Sequence, residues 1–379
     1  MKILAESQFV LSEPLRVMGV AVSTKPVIPE LSCVNLYAKG GNLGYFATTG
    51  HLSLLNPIDN SGITIEQEGS ILVNYDLLVA ALSSIVGPIS LYTTDRNLII
   101  ASTGDKRISR RLPLAVLDNL PNPAVISGIP VVIPSNKLIE VIKCISFAAI
   151  KDGSRPELRG MYIGSMSMCG DGIRLACYDL TTDASITISF EAISALQQLL
   201  TDDGDISITV DSWILVELPG GKEFRFAGTG ELFPETARSV VDALSAKTAV
   251  AVINIGTKAL YRVFNAACTF TEKAAVYGIA YVELLGSNGT VHVKIEVPSV
   301  GMFEDILDCA YMGGDFTVLV SPQNMLDLIA GSSSEVLEFR IYSSLEPMLV
   351  SSPDVEGWKV VQGVMANSRP QEVVDNDDF

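Results

Sequence analysis

Apolar positions along this chain fall into two periods. In Ile206-Ser207-Ile208-Thr209-Val210 they occupy every second position, the spacing of a strand with one buried face. After Ser135 and after Thr257 the spacing becomes helical. Leu138, Ile139, Ile142 and Ile145 share one face, and Leu260, Val263, Phe264 and Ala267 share another. Ser135, Asn136 and Thr257 stand where the caps of these helices are expected.

The two periods recur in a fixed order. A short strand, a helix, a Gly/Asp/Ser break and a tight hairpin begin at Ser70, at Thr187 and at Phe316, spacings of 117 and 129 residues. A further strand-then-helix unit precedes each copy, at Met1, Val131 and Ala251, spacings of 130 and 120. A repeat this long is a domain with its own core rather than a solenoid turn. The chain therefore reads as three α+β domains of one kind, with joints expected at 119–128 and 242–249.

Composition removes several classes. The net charge of −17 argues against a protein that coats nucleic acid by bulk attraction, though not against a local basic surface. No apolar run is long enough to span a membrane, and the start "MKILAESQF" lacks a signal peptide's apolar stretch, so a cytoplasmic location is expected. The six cysteines are scattered without a C-x-x-C and read as buried free thiols. Only His51 and His292 are present, far apart, which weakens any scheme built on a histidine base. No catalytic residue, metal site or cofactor is expected.

One stretch poses a sharper question. "GDGIRLACYD", 170–179, begins with a Gly-Asp-Gly turn and runs through an arginine into an apolar alternation. By its residues alone it is open to reading as a phosphate loop, a metal turn, a carboxylate site or a strand at a binding pocket.

With these turns, three tandem helix-plus-strand domains resemble the bacterial sliding clamp family, the beta subunit of DNA polymerase III. The stretches that carry the resemblance are "SILVNYDLLVAAL", "DRNLIIASTGDKRIS", "LAVLDNLPNP", "LRGMYIG", "GDGIRLACYD" and "EDILDCAYMGGDFTVLVSPQNMLDLI". Their order and spacing hold through about residue 366. The resemblance implies a DNA-clamp fold of three similar domains at 1–125, 126–247 and 248–366, each with two helices packed on antiparallel sheets. It leaves an acidic tail, 367–379, read as disordered. It implies a head-to-tail ring of two chains that encloses double-stranded DNA regardless of sequence. Polymerase and clamp loader would be held through short hydrophobic peptides, with no enzymatic activity.

The resemblance also carries residues. Cations for the DNA are expected at Arg16, Lys25, Lys137, Lys143, Lys151, Arg155, Lys258 and Arg262. The second helices, "DLLVAAL", "EAISALQQLL" and "QNMLDLIA", carry no Lys or Arg. At the ring joint, Lys106, Arg107, Ile108 and Arg110 would face Glu296, Glu304 and Asp305, with Phe270 packing beside them. Arg110 stands where the family is usually apolar. The partner-peptide pocket would comprise Leu158, Gly172, Ile173, Arg174, Leu175, Asp242, Val360, Val361, Gln362, Gly363, Val364 and Met365.

Gly170-Asp171-Gly172 is then a hairpin turn and Arg174 the start of a pocket-floor strand. A phosphate loop needs more glycines and a helix directly after. A calcium loop needs alternating Asp/Asn and a later Glu. A two-carboxylate enzyme has only Asp171 with Glu157 to draw on. Ile173, Gln362-Gly363 and Asp242 depart from the family's His or Tyr, Met-Pro and Pro, so a shifted client specificity is expected. The tail, with Gln371 and Phe379, resembles a client peptide and is a candidate to fold over the pocket. Two rival readings are a clamp-fold interaction protein that does not encircle DNA, and an enzyme on a repeated α+β scaffold.

Overall fold

The computed structural model of the protein describes residues 1–105, 107–150, 155, 158–229, 233, 236–274, 281–297 and 301–364. Lys106, Lys151, Glu157, Met365 and the whole tail, Gln371 and Phe379 included, lie outside the described residues. The chain forms two compact units, Met1–Glu140 with Thr182–Gly230, and Val141–Thr181 with Glu231–Phe379.

Helices are α1 (Phe9–Arg16), α2 (Tyr75–Ser83), α3 (Ser135–Ile145), α4 (Phe190–Leu199), α5 (Thr236–Ala246), α6 (Thr257–Ala274) and α7 (Pro322–Gly331). Six of them stand where helical spacing puts a helix. The seventh, α5, occupies much of a stretch expected to be a joint. It buries little beyond Val241, so its apolar stripe is too narrow to show as periodicity. None of the described helices is long and apolar enough to cross a membrane.

The expected faces are the buried ones, with one shift. Leu260, Val263, Phe264 and Ala267 of α6 are buried. On α3 the buried face is Leu138, Val141, Ile142 and Ile145, and Ile139 is only half-buried. The caps differ more. Asn74, Ser189 and Ser321 accept from the backbone N–H of Leu77, Ala192 and Asn324, capping α2, α4 and α7. The hydroxyls of Ser135 and Thr257 do other work: they donate to the carbonyls of Thr201 and Ser334, tying each helix start to a neighbouring loop.

In the first unit one antiparallel sheet runs in the order Val131–Pro134, Asp205–Val210, Trp213–Leu218, Lys222–Ala227, Leu52–Ile58, Asn42–Thr48, Cys33–Lys39, Gly69–Asn74, Ser109–Ala115, Asn97–Ser102, Ile89–Thr93, Lys2–Ala5 and Ile63–Gln67. In the second unit one sheet runs Met161–Ile163, Met166–Gly170, Arg174–Asp179, Lys359–Gln362, Met348–Ser351, Val336–Ile341, Ala251–Gly256 and Ala310–Gly313. A separate four-stranded sheet of that unit runs Gly301–Asp308, Thr290–Val297, Val282–Ser287 and Phe316–Val320. Five cysteines are buried free thiols, and Cys309 is half-exposed.

Candidate functional site

The Gly170–Arg174 stretch is a hairpin turn joining Met166–Gly170 to Arg174–Asp179. Asp171 makes it. Its N–H donates to the Arg174 carbonyl at 3.1 Å, and its Oδ1 accepts from the N–H groups of Ile173 (2.8 Å) and Arg174 (2.6 Å). Gly172 has φ +85°, a left-handed conformation that suits glycine.

Strand Arg174–Asp179 pairs on its other side with Lys359–Gln362, in the register Arg174↔Gln362, Leu175↔Val361, Ala176↔Val360, Cys177↔Lys359. The pairing extends past the strand end, where Gly363 N–H donates to the Ile173 carbonyl at 2.8 Å. A Cβ on Gly363 would stand 2.7 Å from that carbonyl oxygen, so this approach needs glycine. Residues nearly two hundred positions apart in sequence thus form one ladder, and its two faces differ.

On one face, Leu175 and Val361 pack with Leu158, Phe233, Tyr342 and the α5 residues Val241 and Leu244. Leu175 is half-buried, leaving an apolar surface that solvent reaches. Asp242 stands exposed beside Val241, at the helix edge. On the other face Arg174 is held from three sides. Its Nε meets Asp171 Oδ2 at 2.8 Å, its Nη1 meets Asp327 Oδ2 of α7 at 3.0 Å, and its Nη2 donates to the Phe147 carbonyl at 3.3 Å. Its guanidinium carbon lies 5.5 Å from the centre of the Phe147 ring. Gln362, its register partner, is buried, and Oε1 has no partner among the described residues. Val360 is fully buried and backs the site from beneath. Ile173 stands out at the turn, 59% exposed. Gly363 and Val364 are half-buried at the end of the ladder.

Eleven of the pocket residues expected from sequence therefore stand on this ladder, its turn, or the α5 and Leu158 segments packed on it. The arrangement suits an extended apolar segment: an open apolar face carried on a ladder whose turn is fixed by the Asp171–Arg174 pair behind it. Phe147, Phe233, Val241, Tyr342 and Asp327 were not foreseen. Only Asp327 left a signal, as the one charge in the helix "QNMLDLIA".

Burial holds the Cys177 thiol beneath this ladder in its neutral form, pushing its pKa up to about 12, with Asp179 adding to the shift. No nucleophile is activated here.

The expected DNA cations that are described, Arg16, Lys25, Lys137, Lys143, Arg155, Lys258 and Arg262, are all exposed. Lys137 is paired with Glu140 at 3.0 Å and Arg262 approaches Asp305 at 3.9 Å. Arg155 comes within about 4.0 Å of where a Gly172 Cβ would be, which sets it beside the turn of the candidate pocket.

The charged joint residues that are described stand on or beside strands Ser109–Ala115, Thr290–Val297 and Gly301–Asp308. Arg107 is exposed and paired with Asp105, Ile108 is half-buried, and Arg110 is exposed with its Nε on Ser84 Oγ at 2.9 Å. Strand Ser109–Ala115 pairs with Gly69–Asn74 only at Leu114 and Ala115, so its earlier residues leave one edge unpaired among the described residues. Gly301–Asp308 ends its four-stranded sheet and presents Met302, Glu304 and Ile306 outward. Glu304 lies 3.2 Å from His292, Glu296 lies 3.1 Å from Lys294, and Phe270 packs on Phe303 with ring centres 6.1 Å apart.

No family model matches the chain. Among curated proteins it is 22% identical over 356 residues to the beta sliding clamp of Streptococcus pneumoniae TIGR4, covering 89% of this chain and 91% of that one. It is 24% identical over 255 residues to the beta sliding clamp of Treponema pallidum, covering 64% and 67%. Among solved structures, the beta subunit of DNA polymerase from Streptococcus pyogenes superposes with a TM-score of 0.87 at 18% identity, covering 96% of this chain and all of that one. A sliding clamp from Bartonella birtlesii, solved bound to griselimycin, superposes with a TM-score of 0.86 at 20% identity, covering 97% and 100%. The chain thus has the beta sliding clamp fold over nearly its whole length and is a divergent relative of the bacterial beta sliding clamps.

Proposed function

We propose that the chain is a DNA polymerase processivity factor, a non-catalytic clamp that encircles duplex DNA as a head-to-tail ring of two copies. On this reading each copy carries three similar domains, 1–125, 126–247 and 248–366. Exposed cations on α1, α3 and α6, with Lys25 and Arg155, meet the phosphates, and the acidic remainder keeps that contact loose enough to slide. Polymerase and loader dock as short apolar peptides on the Leu175–Val361 face, beside the turn that Arg174 braces from the other face.

The observation that carries this reading is the ladder from Arg174–Asp179 to Lys359–Gln362. It joins the expected pocket residues from two distant segments under one apolar cluster. Ile173 where the family has His or Tyr, and Gln362-Gly363 where it has Met-Pro, change what the peptide meets and shift which client binds. The test is retention on DNA. The clamp, once loaded, stays on nicked circular DNA through gel filtration and runs off when the circle is cut. Equal loss from both forms would sink the enclosing ring.

A second reading is favoured by a specific observation. Glu304 and Asp305 already approach His292 and Arg262 of their own chain, and Arg110 rests on Ser84. A clamp-fold protein that binds replication proteins without encircling DNA would bind client peptide normally and show no difference between circular and linear DNA.

A further inference from the structure

The turn Thr48–Leu52 in the first unit has the construction of the turn Gly170–Arg174 in the second. Thr49 N–H donates to the Leu52 carbonyl at 2.9 Å, as Asp171 does to Arg174. Thr49 Oγ1 accepts from the N–H groups of His51 and Leu52, as Asp171 Oδ1 does from Ile173 and Arg174. Gly50 has φ +93° against +85° for Gly172. The His51 carbonyl accepts from Ala227 N–H at 3.0 Å, as that of Ile173 does from Gly363.

The match continues across the sheet. The cross-strand row Asn35–Phe46–Leu55–Glu223 has the same place in its four strands as Tyr162–Met168–Cys177–Lys359. In the second unit, Met168 and Cys177 of that row are covered by the cluster that includes Val241 of α5. In the first unit the covering segment is 117–123, "LDNLPNP", one turn of 3-10 helix followed by two prolines. It leaves a cavity of about 450 Å³ whose lining includes Phe46, Leu55 and Leu117 with Tyr37, Asp118 and Asn122.

We propose that this cavity is a second peptide-docking site, and that it takes a partner segment in which an apolar side chain stands next to a lysine or arginine. The size suits one or two buried side chains. Asp118 is the one charged residue of the lining and is exposed, so it favours a cation. Arg225, on the cavity's face of the sheet, is paired with Glu223 and so adds no net charge there. The positions of Leu175 and Val361 are taken by Ser53 and Arg225. The Oγ of Ser53 and the Nε and Nη1 of Arg225 are buried without hydrogen-bond partners, one ladder step along the same face. Unpaired buried donors are costly, and since neither residue lines the cavity itself, only a peptide that extends past it along this face reaches them.

This inference rests on the reading of the Arg174 ladder as a peptide pocket, and its test separates the two. The full chain, labelled at Leu and Val methyls, is titrated with the synthetic peptide acetyl-Ala-Leu-Phe-Lys-Ala-amide. Saturable shifts are expected at Leu55, Leu117 and Leu120. The exposed Asp118→Lys substitution weakens them by about fivefold, and a peptide with Glu in place of Lys regains that loss on the variant. Shifts confined to Leu175 and Val361 would overturn the second site and leave the first standing. Shifts at Leu55 and Leu117 alone would support the second site and count against the first. No saturable shift at the three leucines, or shifts indifferent to Asp118→Lys, would overturn the proposal.

Discussion

Asp171 holds Arg174 twice: one carboxylate oxygen accepts the Arg174 backbone N–H at 2.6 Å and the other meets its guanidinium Nε at 2.8 Å. The same residue therefore shapes the hairpin turn and aims the cation of the site. The Arg174 side chain is 9% exposed and that of Asp171 18%, so solvent screens this pair little.

Two substitutions separate those roles. Asp171→Asn keeps an oxygen for the turn and loses the charge, and costs about 1 kcal/mol in urea unfolding. Asp171→Ala loses both and costs about 2 to 3 kcal/mol. Client-peptide affinity falls in both variants, because Arg174 is then held only by Asp327 and Phe147. Equal unfolding midpoints for the two variants would show that the turn bonds contribute nothing.

The paired turns make a prediction of their own. Gly50 and Gly172 share a left-handed φ, and a Cβ at either meets nothing closer than Arg155 Nη1 at about 4.0 Å. Gly50→Ala and Gly172→Ala each cost about 1 to 2 kcal/mol, from backbone conformation alone. Gly357→Ala costs more, since its Cβ would also stand 2.7 Å from the Asp179 Cβ. Unfolding midpoints of the three variants check the order.

The repeat was legible because strands and helices announce themselves by period. Leu260, Val263, Phe264 and Ala267 needed only 3.6-residue spacing to be placed on one face. The Gly-Asp-Gly turn was legible from glycine chemistry. Helix α5 was not: Val241 is its anchor, and what makes that residue decisive is packing against Leu158 and Val361, which are remote in sequence. The partners of Arg174 were hidden for the same reason. The roles of Ser135 and Thr257 were misread because a hydroxyl at a helix start serves equally as acceptor for the helix or donor to a loop, and tertiary contacts decide.

The buried thiols set an alkaline limit. Cys177 has its pKa pushed from the ordinary 9.0 up to about 12 by burial, and Cys169 is shifted further in the same direction. A folded pKa above the unfolded one gives stability that is full below about 9 and is lost as pH rises toward the folded value. The urea midpoint is therefore expected to fall between pH 9 and pH 12, with thiolate absorbance growing as the chain unfolds. At pH 8 a thiol reagent labels half-exposed Cys309 before the five buried cysteines. Early labelling of Cys177 in the native protein would contradict its burial.

Charge reversal at two strand edges tests ring closure. The free edge of Ser109–Ala115 offers Arg110 and Arg111, and the free edge of Gly301–Asp308 offers Glu304, Asp305 and Asp308. Opposite charges on two unpaired edges favour strand addition between copies in one register. In moderate salt the wild type is expected at twice its 40.5 kDa mass by light scattering. Arg110→Glu shifts it toward the monomer, and adding Asp305→Arg restores the dimer. Arg110 donates to Ser84 and Asp305 lies 3.9 Å from Arg262, so each single change also disturbs its own chain. Rescue by the double variant is what a damaged fold could not give. High salt weakens the wild-type dimer as it screens these exposed pairs. A monomeric wild type at micromolar concentration would sink the simple ring and favour the clamp-fold protein that binds replication proteins without encircling DNA.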